Sequence, residues 1–361
     1  DELAVINALL LGQRQGISKE LLTNYSKAGA IHILAVSGLH VGIILLILSS
    51  FFKPLERFKY GKIVKTVIVV LFLWMFAFIA GLSASVIRAV TMFTFLAFGL
   101  SLQRKNVSVF SLISSMFFLL VFKPMFLFDV GFQLSYLAVF GIILVQTKLY
   151  NLWKPKYKLI DKFWQLSTVS IAAQIGILPL SFYYFHQFPG LFMLSNLIII
   201  PCLGAILIGG ILIIALALIG VLPQFLASIY GFVISLMNGF VSWISNQEKF
   251  LLQEISFSFS LMLLSYVAIT FCVVFALNKS PKKLLYALAS IVLFQSVFLY
   301  EIKDKNAKNE FVVFHKSRKS IIGKRVGEEL FVNHNLDSLE IVKTNAIISY
   351  KIGENVHQTF K

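Results

Sequence analysis

Charge is scarce in this sequence, and acidic charge scarcest. Asp and Glu together number 16 in 361 residues, and charged residues of both signs make up 13%. A soluble globular chain carries about 25%. The shortfall excludes an ordinary soluble enzyme and a disordered chain. Only two cysteines occur, Cys202 and Cys272, both in apolar runs. They exclude a disulfide scaffold and a cysteine metal framework, and read as small packed hydrophobes. No GxxxxGK[ST] phosphate loop is present, and no two histidines stand four apart. The usual residues for binding ATP or zinc are therefore missing, and neither a metal nor a cofactor is expected. The chain begins at Asp1 without a signal-like segment, and is expected to be a segment of a longer protein.

What the chain has is apolar surface. Apolar residues make up 58%, and 36 residues are Phe. A helix spans a bilayer with about 20 apolar residues, so this fraction supplies about ten spans. The expected fold class is an all-α polytopic membrane protein. Candidate spans run at about 33–52, 64–81, 85–100, 107–122, 128–146, 164–185, 201–220, 224–244, 258–277 and 283–300. The stretch 188–200 is short and bracketed by Pro189-Gly190 and Pro201, which predicts one re-entrant or broken segment.

The flanks differ in character. Residues 1–30 precede the spans. Within them, 17–30 reads as an amphipathic interfacial helix, with Ser18 as N-cap and Ile17, Leu21, Leu22 and Tyr25 on one face. Residues 31–300 form the expected transmembrane domain. After 300, EIKDKNAKN reads as a polar linker, and FVVFH, SIIGK, ELFVN and AIISYKI as short β-like runs. Residues 301–361 are thus expected to be a small β-rich soluble C-terminal appendage.

The net charge is +16. Such an excess fits either basic cytoplasmic loops or a polyanionic partner. With ten spans, the loops at 53–65, 104–105, 148–162 and 279–283 hold fifteen Lys and Arg, against six on the other side. That asymmetry puts the fifteen in the cytoplasm, and the N-terminal helix and the tail outside. Most of the excess is therefore topology.

A charged residue at the bilayer centre costs at least about 2.5–3.5 kcal/mol, so polar residues inside apolar runs carry the functional information. Four clusters stand out. In the first, His32, Ser37 and His40 share one apolar segment, with Ser37 and His40 three apart and Gly38 and Gly42 four apart. The pattern fits a tight packing face or a polar wall. In the second, Gly81 interrupts the apolar run and Arg88 follows one turn into the next span. Arg88 either snorkels to the interface or offers its planar fork of donors to a phosphate. In the third, Asp129 reads as a helix cap, followed by Gly131, Gln133, Ser135 and Tyr136. Gln133 inside a span points to the bundle interior. The fourth comprises Gln174, Pro179 as a kink, and Ser195-Asn196, with Asn196 in the broken segment that Pro201 closes. Phe132 and Tyr136 fit either core packing or base stacking.

At these clusters the sequence resembles the competence domain of the ComEC/Rec2 family. The stretches IHILAVSGLHVGI (31–43), GLSASVIRAVTM (81–92), FDVGFQLSYLAVFGI (128–142), QIGILPL (174–180) and LSNLIIIP (194–201) carry the resemblance, in the family's order and spacing. It covers about residues 2–250. The resemblance implies an inner-membrane channel that passes single-stranded DNA into the cytoplasm during natural transformation. It implies a multi-pass protein of the bacterial inner (plasma) membrane. Its implied partners are single-stranded DNA, the bilayer, a cytoplasmic motor or strand-binding proteins, and periplasmic DNA-uptake proteins. Relatives often carry a nuclease domain with an HxHxDH metal motif. That motif is absent here, since His315, His334 and His357 stand apart, so no enzyme activity is expected. The residues expected to line the DNA path are His32, Ser37, Gly38, His40, Arg88, Asp129, Gln133, Ser135, Gln174 and Asn196. Gly42, Gly81, Gly131, Pro179 and Pro201 are expected to break or pack helices. Two alternatives stay open: a transporter or channel for another anionic solute, and an intramembrane hydrolase using Ser37 with His40.

Overall fold

The computed structural model describes residues 2–13, 15–34, 36–103, 106–253, 255–307, 309–316, 319–326, 329–334 and 356–358. Among them the helices are α1 (Glu2–Leu11), α2 (Lys19–Lys27), α3 (Gly38–Phe51), α4 (Gly61–Ile79), α5 (Ala84–Ser101), α6 (Val107–Phe122), α7 (Val130–Gly141), α8 (Thr147–Tyr150), α9 (Lys158–Phe185), α10 (Phe192–Leu218), α11 (Gln224–Ser245), α12 (Phe259–Leu277) and α13 (Pro281–Ala307). A π-helical turn, Ile142–Gln146, joins α7 to α8 into one stretch, Val130–Tyr150. Eight helices are long and apolar enough to cross a membrane; α3 and α6 are apolar but shorter. The chain is an all-α polytopic membrane protein with a small sheet.

The described residues divide into two compact units, one of residues 1–176 and 189–251, the other of 177–188 and 252–361. In the first unit, α1, α2, α10 and α11 share a core that includes Leu9, Tyr25, Leu203 and Ile234. Ser18 caps α2, its hydroxyl accepting from Leu21 N–H at 3.2 Å. The buried face is the apolar one of the sequence, Ile17, Leu21 and Tyr25. Two polar bonds then fix α2 to α11. Tyr25 Oη–H donates to Asn238 Oδ1 at 2.8 Å, and Ser245 Oγ donates to Asn24 Oδ1 at 3.0 Å. Burial pushes the Tyr25 phenol up from its ordinary value.

A second core joins α3, α4 and α5 through Val41, Leu73 and Val90, and a third joins α6 to α7 through Leu112, Leu119, Phe132 and Tyr136. The turn between α4 and α5 needs left-handed backbone. Gly81 has φ +76°, and Leu82 N–H reaches back to Ala77 O at 2.9 Å, which closes the orphan carbonyls of α4. Helix α7 meets α9 at Gly141 and Gly176. A Cβ on Gly141 would lie 3.2 Å from Gly176 Cα and would collide with Ala172 O. Only glycine on both sides allows this approach.

In the second unit, α12 and α13 pair, and Ser258 caps α12 while donating to Glu301 Oε1 at 2.6 Å. The strands of this unit's sheet are β3 (Asn309–Lys316), β4 (Lys319–Val326), β5 (Glu329–His334) and β6 (Val356–Gln358); a separate pair of two-residue strands is β1 (Phe188–Pro189) and β2 (Leu251–Leu252). The sheet order is β3-β4-β5-β6, antiparallel except for the parallel β5–β6 pair. Three of the β-like runs thus fall on β3, β4 and β5. The fourth, AIISYKI at 346–352, lies outside the described residues.

Three expectations are corrected. The segment 188–200 is not a broken helix, because α10 runs from Phe192 through Pro201 to Leu218. Pro201 frees the Leu197 carbonyl. However, Ser195, Ile199, Leu203, Ile206 and Leu207 are buried along one continuous face and hold the axis together. The first candidate span starts later than residue 33. Ser37 is extended at φ −113° and α3 begins after it, so His32 lies on an exposed turn, off the His40 helix. The polar linker is helical: α13 continues to Ala307, consistent with the helix-favouring Glu, Lys and Ala of that stretch.

Candidate functional site

Arg88 sits one turn into α5, and its side chain is 9% exposed. The start of α5 is anchored by Ser85, whose hydroxyl donates to Val36 O at 2.8 Å, ahead of α3. From there the guanidinium reaches the first turn of α7. Nη1 lies 3.4 Å from Asp129 Oδ1. The same oxygen accepts Phe132 N–H at 2.6 Å, so Asp129 is the N-cap of α7. Gly131 makes room for this arrangement: a Cβ there would lie 3.3 Å from Arg88 Nη2. A helix N-terminus carries partial positive charge and unpaired N–H groups. Two positive groups therefore meet here, and one carboxylate serves both. Asp129 is 46% exposed at its side chain, so the pair is open on the acid side. Arg88 Nε is buried and has no hydrogen-bond partner among the described residues. Thr91, one turn along α5, is likewise buried with its hydroxyl unpartnered among those residues.

His40 is fully buried on α3. The Ser37 N–H donates to His40 Nδ1 at 3.2 Å, and the Ser37 hydroxyl lies 3.0 Å from the same nitrogen. A backbone N–H can only donate, so Nδ1 accepts and the neutral ring carries its proton on Nε2. Nε2 is buried without a partner among the described residues. The Ser37–His40 contact is accounted for as a capping arrangement at the start of α3. Gly38 and Gly42 face α5, where their Cβ positions would meet Ala89 at 4.0 Å and Phe93 at 3.2 Å.

The remaining expected residues are dispersed. Gln133 is half-buried; its Nε2 donates to Leu127 O at 2.8 Å, and its Oε1 is buried without a partner among the described residues. Ser135 on α7 and Gln174 on α9 are half-buried. Asn196 Oδ1 is buried without a partner among the described residues, beside Ser195, whose hydroxyl donates to Ala28 O at 2.8 Å. Phe132 and Tyr136 are not free for stacking on bases. They are 2% and 5% exposed, their rings lie 4.5 Å apart, and Tyr136 Oη lies 3.1 Å from Ser115 Oγ on α6.

A polar cavity of about 580 Å³ lies between α1, α2 and α11, bordered by Ser18, Asn24, Asn238 and Ser242. Its border includes Glu2 and Glu20, which suits a polyanion poorly.

Residues 9–279 match the family model described as competence protein. The chain belongs to the Competence family. Every expected site residue, from His32 to Pro201, falls inside the stretch that matches the Competence model. The chain is 31% identical to ComE operon protein 3 of Bacillus subtilis (strain 168) over 246 residues, 68% of this chain and 30% of that protein. It is 27% identical to Recombination protein 2 of Haemophilus influenzae over 221 residues, 56% of this chain and 27% of that protein. An uncharacterized protein of Aquifex aeolicus is 35% identical over 139 residues, 38% of this chain and 32% of that protein. The chain thus spans about a third or less of the length of these relatives. No solved structure matches it.

The Arg88–Asp129 partnership is the feature that reading the Competence motifs one by one misses. A signal for it exists, since Asp129 is the only acid between Glu56 and Asp161. A lone acid in so apolar a stretch calls for a cationic partner.

Proposed function

We propose that this chain forms the membrane part of a channel that passes single-stranded DNA into the cytoplasm of a bacterium taking up DNA for transformation. In this reading the protein sits in the inner membrane with its basic loops in the cytoplasm. Residues 1–30 and the β-rich tail face outward. Cytoplasmic strand-binding proteins or a motor supply the pull.

The observation that carries the reading is Arg88. It is buried, its Nε has no partner among the described residues, and it is held by one half-exposed carboxylate at a helix N-terminus. A phosphodiester entering from the Asp129 side would meet a planar fork of donors and the positive end of α7. Asp129 is then the resident anion that a phosphate replaces. When the phosphate leaves, Asp129 returns, so Arg88 never stays bare in a low-dielectric setting. A weak resident contact of 3.4 Å suits such exchange better than a tight bidentate bridge would. The buried Nε2–H of His40 is a second donor without a partner among the described residues, in the same motif set.

The test is complementation of a strain that lacks the protein, with insertion into the membrane monitored for each variant. Arg88→Ala is expected to abolish transformation while inserting normally, and Ser37→Ala is expected to retain it. Normal transformation with Arg88→Ala would sink the role given to Arg88. A carrier for a small anion would instead show solute flux that does not depend on DNA.

A further inference from the structure

A groove of about 670 Å³ runs between α3, α4 and α5. One wall is the α3 face from Gly38 to Ser49, where Gly38 and Gly42 present no side chain. From Gly38 to Ser49 the helix makes eleven steps of 1.5 Å, about 17 Å. That is close to half of the roughly 30 Å hydrocarbon core, the depth of one leaflet. The groove opens sideways past Leu46 and Leu100, which are 70% and 60% exposed, as expected of a slot facing lipid.

Its end is different. Glu56, Lys62 and Lys65 border it, with Lys65 Nζ bridged to Glu56 Oε1 at 2.7 Å. Lys53 and Lys62 also stand near enough to lower the Glu56 carboxyl below its ordinary range. Two lysines and one carboxylate border the mouth, and Lys53 stands near that carboxylate, so this end carries an excess of positive charge. An aliphatic slot one leaflet deep, ending in excess positive charge, has the chemistry of an anionic amphiphile. A nucleic acid fits it poorly, because phosphates laid along the aliphatic wall would lose water without gaining partners.

We propose that this groove binds one anionic phospholipid, with an acyl chain along Gly38–Ser49 and the phosphate at Lys62 and Lys65. The site links a membrane component to α3 and α5, the helices that carry His40 and Arg88. It does not depend on what passes through the protein.

The test is native mass spectrometry of the purified full chain, offered phosphatidylglycerol and phosphatidylcholine at equal concentration. One phosphatidylglycerol adduct is expected to survive conditions that strip phosphatidylcholine. Lys62→Gln with Lys65→Gln should lower its retention by roughly thirtyfold, the factor two lysines at an anionic headgroup supply. Ala97→Trp, which fills the slot, should lower retention with the lysines intact. Lys62 is exposed and Lys65 half-buried at the rim of the groove, so helical content by circular dichroism is measured beside retention and should match the parent. Equal retention of the two lipids, or undiminished retention in the Lys62→Gln, Lys65→Gln protein, would overturn the site. So would displacement of the adduct by inorganic phosphate or by an oligothymidylate, which would make the lysines a general anion or strand contact.

Discussion

Asp129 does two jobs with one oxygen, and substitutions separate them. Oδ1 caps α7 at Phe132 N–H and faces Arg88 Nη1. Asn caps a helix about as well as Asp, so Asp129→Asn keeps the cap and removes the charge. Asp129→Ala removes both. Breaking a fully buried ion pair costs about 3–5 kcal/mol and an exposed one about 0–1 kcal/mol. Here the arginine side chain is 9% exposed, the acid 46%, and the distance 3.4 Å. The pair falls between those limits, at about 2 kcal/mol. The lost cap adds about 1 kcal/mol. Asp129→Asn is thus expected to cost about 2 kcal/mol and Asp129→Ala about 3 kcal/mol. Arg88→Ala should cost less than Asp129→Ala, because the half-exposed carboxylate keeps its cap. The double variant Arg88→Ala, Asp129→Asn should fall short of the sum of the singles by about 1–2 kcal/mol. Denaturant unfolding in detergent micelles, followed by helical signal, reads all four. Equal costs for Asn and Ala would refute the cap. Strict additivity in the double variant would refute the pair.

The close approach of α7 and α9 predicts that Gly141→Val destabilises by about 1–3 kcal/mol, whereas Gly204→Ala, with nothing within 4 Å of its Cβ position, should be tolerated; thermal melts of the two compare them. Ser195→Ala strands the Ala28 carbonyl that its hydroxyl serves, at an expected cost of about 1–3 kcal/mol, seen as faster hydrogen exchange at the end of α2. The Lys65 hydrogen bond and charge hold Glu56 below the ordinary carboxylate range. The stability from that bridge is present above the unfolded value and lost as pH falls through the lowered folded value. In Lys65→Gln the Glu56 carboxyl should titrate at higher pH, read by carboxyl NMR or infrared; an unmoved titration would show that the bridge does not form.

The apolar runs made the architecture legible, because ten of them exceed what any soluble core requires. The Ser18 cap, the buried face of α2 and the cap role of Asp129 were legible for a local reason. Each depends on residues three or four apart in the chain, where helix geometry alone decides the contact. The failures were not local. Pro201 looked like a break because its missing N–H is a sequence fact, while the buried face that carries α10 through it is a packing fact. His32 and His40 looked like one wall because the start of α3 at Ser37 was not foreseen. Arg88 and Asp129 are 41 residues apart, and their meeting depends on how α5 and α7 pack. Phe132 and Tyr136 carried two readings until burial chose packing.

If a DNA strand passes the Arg88–Asp129 site, it can be trapped there in transit. Cys202 and Cys272 are first replaced by Ala. A single cysteine is then placed at Gln133, one turn from Asp129 on α7, or at Leu71, which is 63% exposed on α4. Cells are offered single-stranded DNA carrying bromoacetamide groups along its backbone. A DNA adduct is expected at Gln133→Cys, lost when Arg88→Ala is added, and none at Leu71→Cys. An adduct at Leu71→Cys but not at Gln133→Cys, during normal uptake, would show that the strand does not pass this site.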